Sequence, residues 1–339
     1  MKQTEEIRNF VIAEIEKHPK DIVNLVAETF LISRQAAHRH VDKMVKENVI
    51  SANGTTKNRY YQLANIVDKN WLFPLQGLKE DEVWRKTISV ELKDVPGNIL
   101  KICQYGFTEM VNNAIDHAEG TNLVVYVTRT LASISITIQD DGIGIFNKIQ
   151  RELDLEDNLH SILELSKGKL TTDPEKHSGE GIFFTSRMFD NFSILSGDLL
   201  FTASSGVEDT SDWLLEHKGM AFDGTCVVMD IPINSKRTTR QVFDRYSVDG
   251  DFGFSRTTIP VFLAQYGGEN LISRSQAKRL LVRFERFKEI VLDFKNVEMI
   301  GQAFADEVFR VYQNAHPQTH ISTINTNEEV SHMIAHVTA

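Results

Sequence analysis

The sequence predicts a multidomain α+β protein, and three observations support this fold class. Residues 107–118, FTEMVNNAIDHA, repeat apolar side chains at the three- and four-residue spacing of a helix with one buried face. Residues 134–139, ISITIQ, alternate apolar and polar side chains as a half-buried strand does. Beyond residue 235, predicted strands and helices alternate, which is typical of a small α/β domain. A length of 339 residues allows two or three domains.

The composition is that of a soluble globular protein, with 41% hydrophobic and 25% charged residues. The net charge of −10 argues against attraction of the whole surface to nucleic acid, so any DNA contact requires a local basic face. Cys103 and Cys226 lie far apart in apolar surroundings, which indicates reduced core residues. Because no apolar run approaches the ~18 residues of a membrane span and no signal-peptide pattern is present, we expect the chain in the cytoplasm.

Residues 1–65 are predicted to form three helices and a short hairpin. Ser33 is a candidate cap for the third helix, SRQAAHRHVDKMVKEN, and Asn53 with Gly54 supplies the hairpin turn. This order of elements resembles a winged helix-turn-helix, with residues 49–63 as the wing. The side chains expected to face outward and contact DNA are Arg34, His38, Arg39, Lys43, Lys57 and Arg59.

The charge of residues 1–65 gives this DNA-binding hypothesis modest support. Ten lysines and arginines less eight aspartates and glutamates leave +2, within a chain of −10. Small helical domains of this kind also serve as protein contacts. The alternative to a DNA-binding module is therefore a docking domain for another protein.

The helix predicted over residues 107–118 carries a polar face opposite its apolar one. Glu109, Asn113 and Asp116 lie on that face. A carboxylate, an amide and a second carboxylate suit a metal ion or an attacking water molecule. The alternative is an ordinary solvated face, because most amphipathic helices direct acids outward.

Two glycine-containing stretches follow this helix. The predicted strand ends in DDGIGIF, residues 140–146, where Gly142 and Gly144 leave room for a flat ligand and Asp140 could accept a hydrogen bond from an exocyclic amine. In HSGEGIFFTS, residues 177–186, Gly179 and Gly181 precede an apolar run. Backbone amides at such a helix start could hold phosphates. Each glycine pair alone indicates only a turn. The helix and the two pairs together, in this order and separation along the chain, are strong evidence for a binding site.

Together these motifs resemble the GHKL family of ATP-binding domains, shared by gyrase-type ATPases, Hsp90 chaperones, MutL proteins and sensor histidine kinases, over residues 98–232. The resemblance implies a Bergerat-type α/β sandwich that binds ATP and Mg²⁺, in which Glu109 positions the attacking water and Asn113 holds the metal. Gly224 and Thr225 match the late Gly-Thr that closes the adenine pocket. His177 stands where many members have another glycine. The candidate cofactor-binding residues are Asn113, Asp116, Asp140, Gly142, Gly144, Ser178, Gly179, Gly181 and Thr225.

Residues 147–176 are polar and charged, and they lie where the family places its flexible ATP lid. Three lysines fall in this segment: Lys167, Lys169 and Lys176. They either approach the phosphates or are simply solvated, as lid lysines commonly are.

The C-terminal part contains IVLDFKNVEMIGQAFADEVF, residues 290–309, which resembles the core of a STAS-like domain of unknown function. Phosphorylated STAS proteins carry a serine or threonine in the loop between this strand and helix. Residues 296–305 contain neither, which argues against a kinase that phosphorylates its own STAS-like domain there. We therefore expect three domains, a winged helix over 1–65, an ATP-binding domain over 66–234 and a STAS-like domain over 235–339.

These features favour a slow, Mg²⁺-dependent ATPase that regulates transcription, in which the nucleotide state switches DNA binding or homodimer formation. One alternative is a serine/threonine protein kinase of the anti-sigma-factor type that acts on a partner protein. Another is an ATP-dependent effector of a defence or stress system. His38 and His40 lie in the third helix, and no separate phosphoacceptor-histidine helix precedes the ATP domain, which disfavours an autophosphorylating histidine kinase. The STAS-like domain is a candidate site for a protein partner.

Overall fold

The computed structural model describes residues 2–55, 58–155, 157–170, 179–205, 210–216, 222–248, 253–265 and 269–339, with backbone only at 2 and 210–216. The chain divides into two compact units. The first contains Met1–Trp71, Val125–Ile136 and Asp230–Ser235. The second contains Leu72–Val124, Thr137–Met229 and Lys236–Ala339. The division into three domains stays a prediction.

The first unit begins with three helices and a hairpin, as the sequence predicts. Their bounds are α1 Lys2–Glu14, α2 Ile22–Thr29, α3 Arg34–Lys46, β1 Ile50–Asn53 and β2 Tyr60–Leu63. The strands β1 and β2 pair antiparallel, and the Ser33 hydroxyl caps α3 by accepting from the Ala36 amide at 3.2 Å. Val11, Val26 and Val41 are among the fully buried residues of the core between the helices. The winged helix-turn-helix itself stays a prediction.

Seven strands among the described residues form one sheet. They are β3 Val67–Pro74, β4 Asn122–Arg129, β5 Ser133–Asp140, β6 Asn191–Gly197, β7 Leu199–Ser205, β8 Thr210–Glu216 and β9 Phe222–Pro232, in the order β3-β4-β5-β9-β6-β7-β8. The strand predicted from ISITIQ is β5, in which buried residues alternate with half-buried ones. This alternation arises because successive side chains of a strand point to opposite faces of the sheet.

The helices of the second unit before residue 190 occur in two groups along the chain, one between β3 and β4 and the other between β5 and β6. They are α4 Glu80–Val83, a π-helical turn Trp84–Ile88, α5 Ser89–Glu91, α6 Gly97–His117, α7 Ile145–Leu153, α8 Asn158–Lys167 and α9 Gly181–Met188. The helix predicted over 107–118 is the second half of α6. Phe107, Met110, Val111 and Ala114 are buried on its apolar face, as predicted. The described part of the polar segment 147–176 is largely helical, in α7 and α8.

The C-terminal residues, 236–339, alternate helices and strands as predicted. Their elements are α10 Thr239–Arg245, β10 Arg256–Pro260, a 3₁₀ turn Val261–Ala264, α11 Arg274–Leu281, a 3₁₀ turn Phe284–Arg286, β11 Glu289–Asp293, α12 Gln302–Ala305, a π-helical segment Asp306–Tyr312, α13 Gln313–Ala315, β12 His320–Ile324 and α14 Glu328–Thr338. Strands β10, β11 and β12 form a parallel sheet in that order. None of the helices in the described ranges is long and apolar enough to cross a membrane.

Candidate nucleotide site

A cavity of about 320 Å³ lies in the second unit, between α6, β5, α7, α8 and α9. This volume is at the lower end of the range for ligand sites, about 300–1,000 Å³. Polar side chains and glycines share the lining with apolar residues. The predicted site residues that line it are Glu109, Asn113, Asp140, Gly144, Gly179, Gly181 and Thr225. Segments distant in sequence therefore converge on one cavity.

Asp140 is fixed at one end of the cavity by its neighbours' backbone. Asp140 is the last residue of β5 and is only 6% exposed. The Asp140 Oδ1 accepts hydrogen bonds from the Gly142 amide at 2.9 Å and the Thr225 amide at 3.2 Å. Burial raises the pKa of this carboxyl, while the two amides oppose that shift. A rigid, buried hydrogen-bond acceptor therefore faces the cavity.

Two further contacts hold this end of the cavity in place. The Thr225 hydroxyl accepts from the amide of Ile145, the first residue of α7, at 3.0 Å. Gly224 has a φ of +89°, and a Cβ there would overlap the carbonyl oxygen of Asp140. Only glycine satisfies both the left-handed backbone and this close approach of β9 to β5.

Gly142 does not line the cavity, and the reason given for it from sequence is wrong. A Cβ at Gly142 would overlap the carbonyl of Ala118 rather than leave room for a ligand. The absence of a side chain at Gly142 therefore permits close packing of the chain after α6 against the loop after β5. Gly144, by contrast, lies on the cavity wall immediately before α7.

The other end of the cavity combines the acid of α6 with the start of α9. Glu109 and Asn113 line the cavity one helical turn apart. A Cβ at Gly181, the first residue of α9, would overlap Oε2 of Glu109. This glycine therefore lets the α9 N-terminus approach the Glu109 carboxylate closely. A helix N-terminus carries unpaired amides and partial positive charge, and so attracts anions such as phosphate.

The remaining predicted site residues lie elsewhere. Asp116 is exposed on α6 and is absent from the described cavity lining. Ser178, His177 and Lys176 lie outside the described residues. Their roles in nucleotide binding stay predictions.

Two half-buried carboxylates, Glu109 and Glu180, act on the same neighbour, Tyr105. Burial raises the pKa of Tyr105 well above its usual range, and Glu109 and Glu180 add to the shift. Burial also raises the pKa of Glu180, against the opposing effect of Lys169. Acids close to the start of α9 favour a cation that offsets their charge.

Lys148 supplies a positive charge to the cavity wall that sequence reasoning missed. It lies on α7, and its Nζ contacts Glu119 at 2.8 Å and Glu152 at 3.2 Å. The hydrogen bond that Lys148 donates to Glu119 is the main cause that raises the pKa of Lys148. In the sequence, the spacing of four residues between Gly144 and Lys148 could have indicated that Lys148 lies on the same side of α7 as Gly144.

Other lining residues gave no signal in the sequence. Leu165 of α8, Leu170 and Phe183 of α9 contribute apolar walls. Asn112 and His117 of α6 also line the cavity. The apolar residues follow ordinary helical patterns, so only their packing shows which of them face the cavity.

The residues present fit a nucleotide with a magnesium ion. Asn113 Nδ2 is buried, and no described group accepts a hydrogen bond from it, which suits a polar ligand at this wall. No group of three or more metal-binding side chains of the His, Cys, Asp and Glu types occurs among the described residues. Mg²⁺ at phosphate sites commonly uses one or two protein ligands and completes its shell with phosphate and water. The side-chain amide of Asn113 can supply one such protein ligand.

The predicted DNA contacts lie on and beside α3. Arg34, Arg39 and Lys43 are exposed. His38 and Arg59 both contact Asp42, at 2.8 and 3.8 Å, and Lys43 contacts Glu47 at 3.7 Å. Arg34 and Arg39 make no ion pair with any described residue, and Lys57 lies outside the described part of the chain. Acidic neighbours therefore reduce the positive charge of this face.

Two family models match the chain. The model of the Histidine kinase-like ATPase domain matches residues 77–199, and that of the STAS-like domain of unknown function matches residues 276–331. No curated protein matches the chain. The first match contains α6, β5, α7, α8 and α9, which build most of the cavity, and both agree with the resemblances found in the sequence. The chain thus carries a histidine kinase-like ATPase domain of the GHKL type, followed by a STAS-like domain.

Proposed function

We propose that the chain binds ATP with Mg²⁺ in this cavity and hydrolyses it slowly, and that its nucleotide state controls DNA binding or dimerisation. The observation that carries the proposal is the Glu109 carboxylate on the cavity wall, against the first residue of α9 and one turn from Asn113. A phosphate at the helix start would lie beside a carboxylate able to orient water and accept its proton.

Five groups of the cavity have roles in the proposed reaction. Asp140 accepts a hydrogen bond from the exocyclic amine of adenine, and Thr225 holds the loop around it. The amides at the start of α9 bind the phosphates. Asn113 holds Mg²⁺, which neutralises phosphate charge when bound. Glu109 orients the attacking water and takes up its proton, so it acts in the transition state more than in binding.

The regulatory part of the proposal rests on residues 1–65. Three helices followed by a hairpin, with Arg34 and Arg39 exposed on the third, are compatible with insertion of α3 into a DNA groove. A conformational switch driven by nucleotide would connect this module to the ATPase domain. A second copy of the chain is the simplest partner for such a switch, since DNA-binding domains of this kind commonly act in pairs.

The second candidate is a protein kinase, which the STAS-like domain favours. STAS domains are partners of kinases that share the GHKL fold. In a kinase, Glu109 would accept the proton of a partner's serine or threonine hydroxyl instead of that of water.

Incubation of the full chain with Mg²⁺ and ATP labelled on the γ-phosphate separates these functions. Free labelled phosphate, lost in Glu109→Gln, supports the ATPase. Label on an added partner protein or on the chain itself favours the kinase. Glu298→Gln, an exposed carboxylate outside the cavity lining, is the matched control and should retain activity. If the wild-type chain neither binds nor turns over ATP, the proposal fails.

A further inference from the structure

The helix α8 is buried along almost its whole length, although five of its eight buried residues are polar. All residues from His160 to Lys167 are buried, and Lys167 is completely so. Lysine and glutamate are almost never fully buried unless they are paired. The sequence interpretation of Lys167 as a phosphate ligand or a solvated lid lysine is therefore wrong.

Lys167 is held by its own helix and by the STAS-like domain. Its Nζ lies 2.5 Å from Glu164 Oε1, and it donates to the carbonyls of Arg279 and Val282 at 3.2 and 3.1 Å. These carbonyls belong to the last turn of α11 and the residue after it. A helix C-terminus carries partial negative charge, so an ammonium group is stabilised there. Lys167 thereby caps a helix of the other domain.

Arg283 reaches back from the STAS-like domain to the same helix. Its Nε donates to Glu164 Oε2 at 2.8 Å, and its Nη2 donates to the Glu164 carbonyl at 2.7 Å. Its Nη1 donates to the Lys169 carbonyl at 3.1 Å. The Thr257 hydroxyl donates to the Lys167 carbonyl at 2.8 Å. Side chains of the STAS-like domain thus satisfy both the charges and the backbone at the C-terminal end of α8.

The segment held in this way also forms a wall of the nucleotide cavity. Leu165 lies between Glu164 and Ser166 on α8 and lines the cavity, as does Leu170. On α9, the cavity residue Phe183 has its ring 4.5 Å from that of Phe254, which lies 5.3 Å from Phe287. The same short elements therefore touch the ligand space on one side and the STAS-like domain on the other.

We propose that the STAS-like domain is a structural part of the ATP site, and that Glu164, Lys167 and Arg283, the α8 clamp, are positioning residues for nucleotide binding. This inference rests on the proposed function, since it assumes that the cavity binds ATP. The clamp holds Leu165 and Leu170 in the cavity wall. Anything that releases the STAS-like domain from α8, such as a protein partner, would open that wall and weaken nucleotide binding.

The test uses the full chain and four variants. Arg283→Gln removes the charge that pairs with Glu164, and Arg283→Lys restores a charge without the planar fork. Thr257→Val removes one hydrogen bond and keeps the shape. Arg310→Gln breaks an arginine–carboxylate pair with Asp306 in the same domain, away from α8, and is the matched control. Amide hydrogen exchange of residues 158–170 and the affinity for Mg-ADP by calorimetry are measured for each.

Arg283→Gln should speed exchange in residues 158–170 and weaken ADP binding by at least ~5-fold, the lower end of common coupling strengths. Arg283→Lys should recover part of the protection from exchange and part of the ADP affinity. Arg310→Gln should match the wild type in both measurements. Coupling is reciprocal, so ADP should slow exchange in residues 274–287 of the wild type but not of Arg283→Gln. Such ligand-dependent protection would not follow from a merely structural contact.

Unchanged exchange and affinity in Arg283→Gln overturn the proposal. If Arg283→Gln does not fold, Thr257→Val is used in its place. Exchange of residues 158–170 and ADP affinity equal to those of the wild type in Thr257→Val then overturn the proposal. If the wild-type chain binds no nucleotide, the proposed function has failed. Exchange in residues 158–170 of Arg283→Gln then still shows whether the clamp holds α8.

Discussion

At the scale of single residues, the two acids of the cavity have different surroundings and therefore different expected roles. Asp140 is buried and held by the amides of Gly142 and Thr225, which leaves it a fixed acceptor. Glu109 lies against the start of α9, where an attacking water would need a base. The first acid is suited to binding and the second to the chemical step.

Substitution at these two acids should separate binding from turnover. Asp140→Asn replaces an acceptor oxygen by a donor and should weaken ADP binding by about tenfold or more, since a hydrogen bond to a charged group contributes about 1.5–3 kcal/mol. Glu109→Gln should keep ADP affinity and lower phosphate release by about 10²–10⁴-fold. Calorimetry and a phosphate-release assay measure the two effects. Equal losses of affinity would rule out this division of roles.

Gly224 should tolerate no side chain. Gly224→Ala combines a left-handed φ with overlap of its Cβ on the Asp140 carbonyl, and we expect a loss of about 1–3 kcal/mol in stability together with nucleotide binding. Gly77→Ala is the matched control, because Gly77 also has a positive φ, +74°, but no atom lies within 4 Å of its added Cβ. Thermal unfolding and ADP titration compare the two. Equal effects on binding would mean that the overlap at Gly224 does not matter.

At the scale of secondary-structure elements, α8 is informative because its buried lysine carries a stability dependence on pH. Burial lowers the pKa of Lys167 to about 8 from its ordinary value of 10.5, although Glu164 opposes the shift. Between these two values the unfolded chain binds more protons at this position than the folded chain does. The contribution of Lys167 to stability must therefore rise with pH across that window.

A comparison of wild type with Lys167→Met tests this dependence. The Tm of the wild type minus that of the variant should be flat below pH 7 and should increase from pH 8 to pH 10. Cys103 and Tyr312 have pKa values that burial raises to about 12, but both proteins contain them, so their effects cancel in the difference. Glu164, Arg283 and Glu285, the charged groups that act on Lys167, are also shared. A difference that falls over this window contradicts the shift.

The helix α3 should act as an electrostatic contact if it binds DNA. Arg34→Ala with Arg39→Ala should abolish binding of the full chain to a genomic duplex library, because these two arginines form no ion pair with a described residue. Wild-type affinity should fall linearly on logarithmic axes with salt, by about 0.9 per phosphate neutralised. Arg310→Ala removes an exposed charge far along the chain and is the control. No wild-type binding at low salt would favour the docking-domain alternative.

At the scale of the whole molecule, a nucleotide switch makes a reciprocal prediction. If ATP changes DNA affinity by some factor, DNA must change ATP affinity by the same factor, and a factor of ~5 or more is in the common range. Glu109→Gln is the useful protein, since it should hold ATP without consuming it. DNA affinity and oligomeric mass are measured without nucleotide, with ADP and with ATP. Identical values in all three conditions would exclude the switch and point to phosphoryl transfer to a partner.

The sequence by itself determined the elements and most of the motif positions. Helical spacing located α6, strict alternation located β5, and the glycines before an apolar run located the start of α9. These signals are readable because helix and strand periods, and glycine at tight approaches, depend on near neighbours in the chain. Seven of the site residues predicted from these motifs line one cavity in the structure.

Tertiary structure alone decided how those elements are used. Gly142 makes room for the Ala118 carbonyl instead of a ligand, Asp116 stays exposed, and Lys167 is buried where a solvated or phosphate-binding lysine was expected. Glu164 and Arg283 meet although they are 119 positions apart. No local pattern encodes such a contact, because burial of a charge depends on which distant group compensates it. Whether a polar helix is a lid or a buried wall is therefore settled by packing.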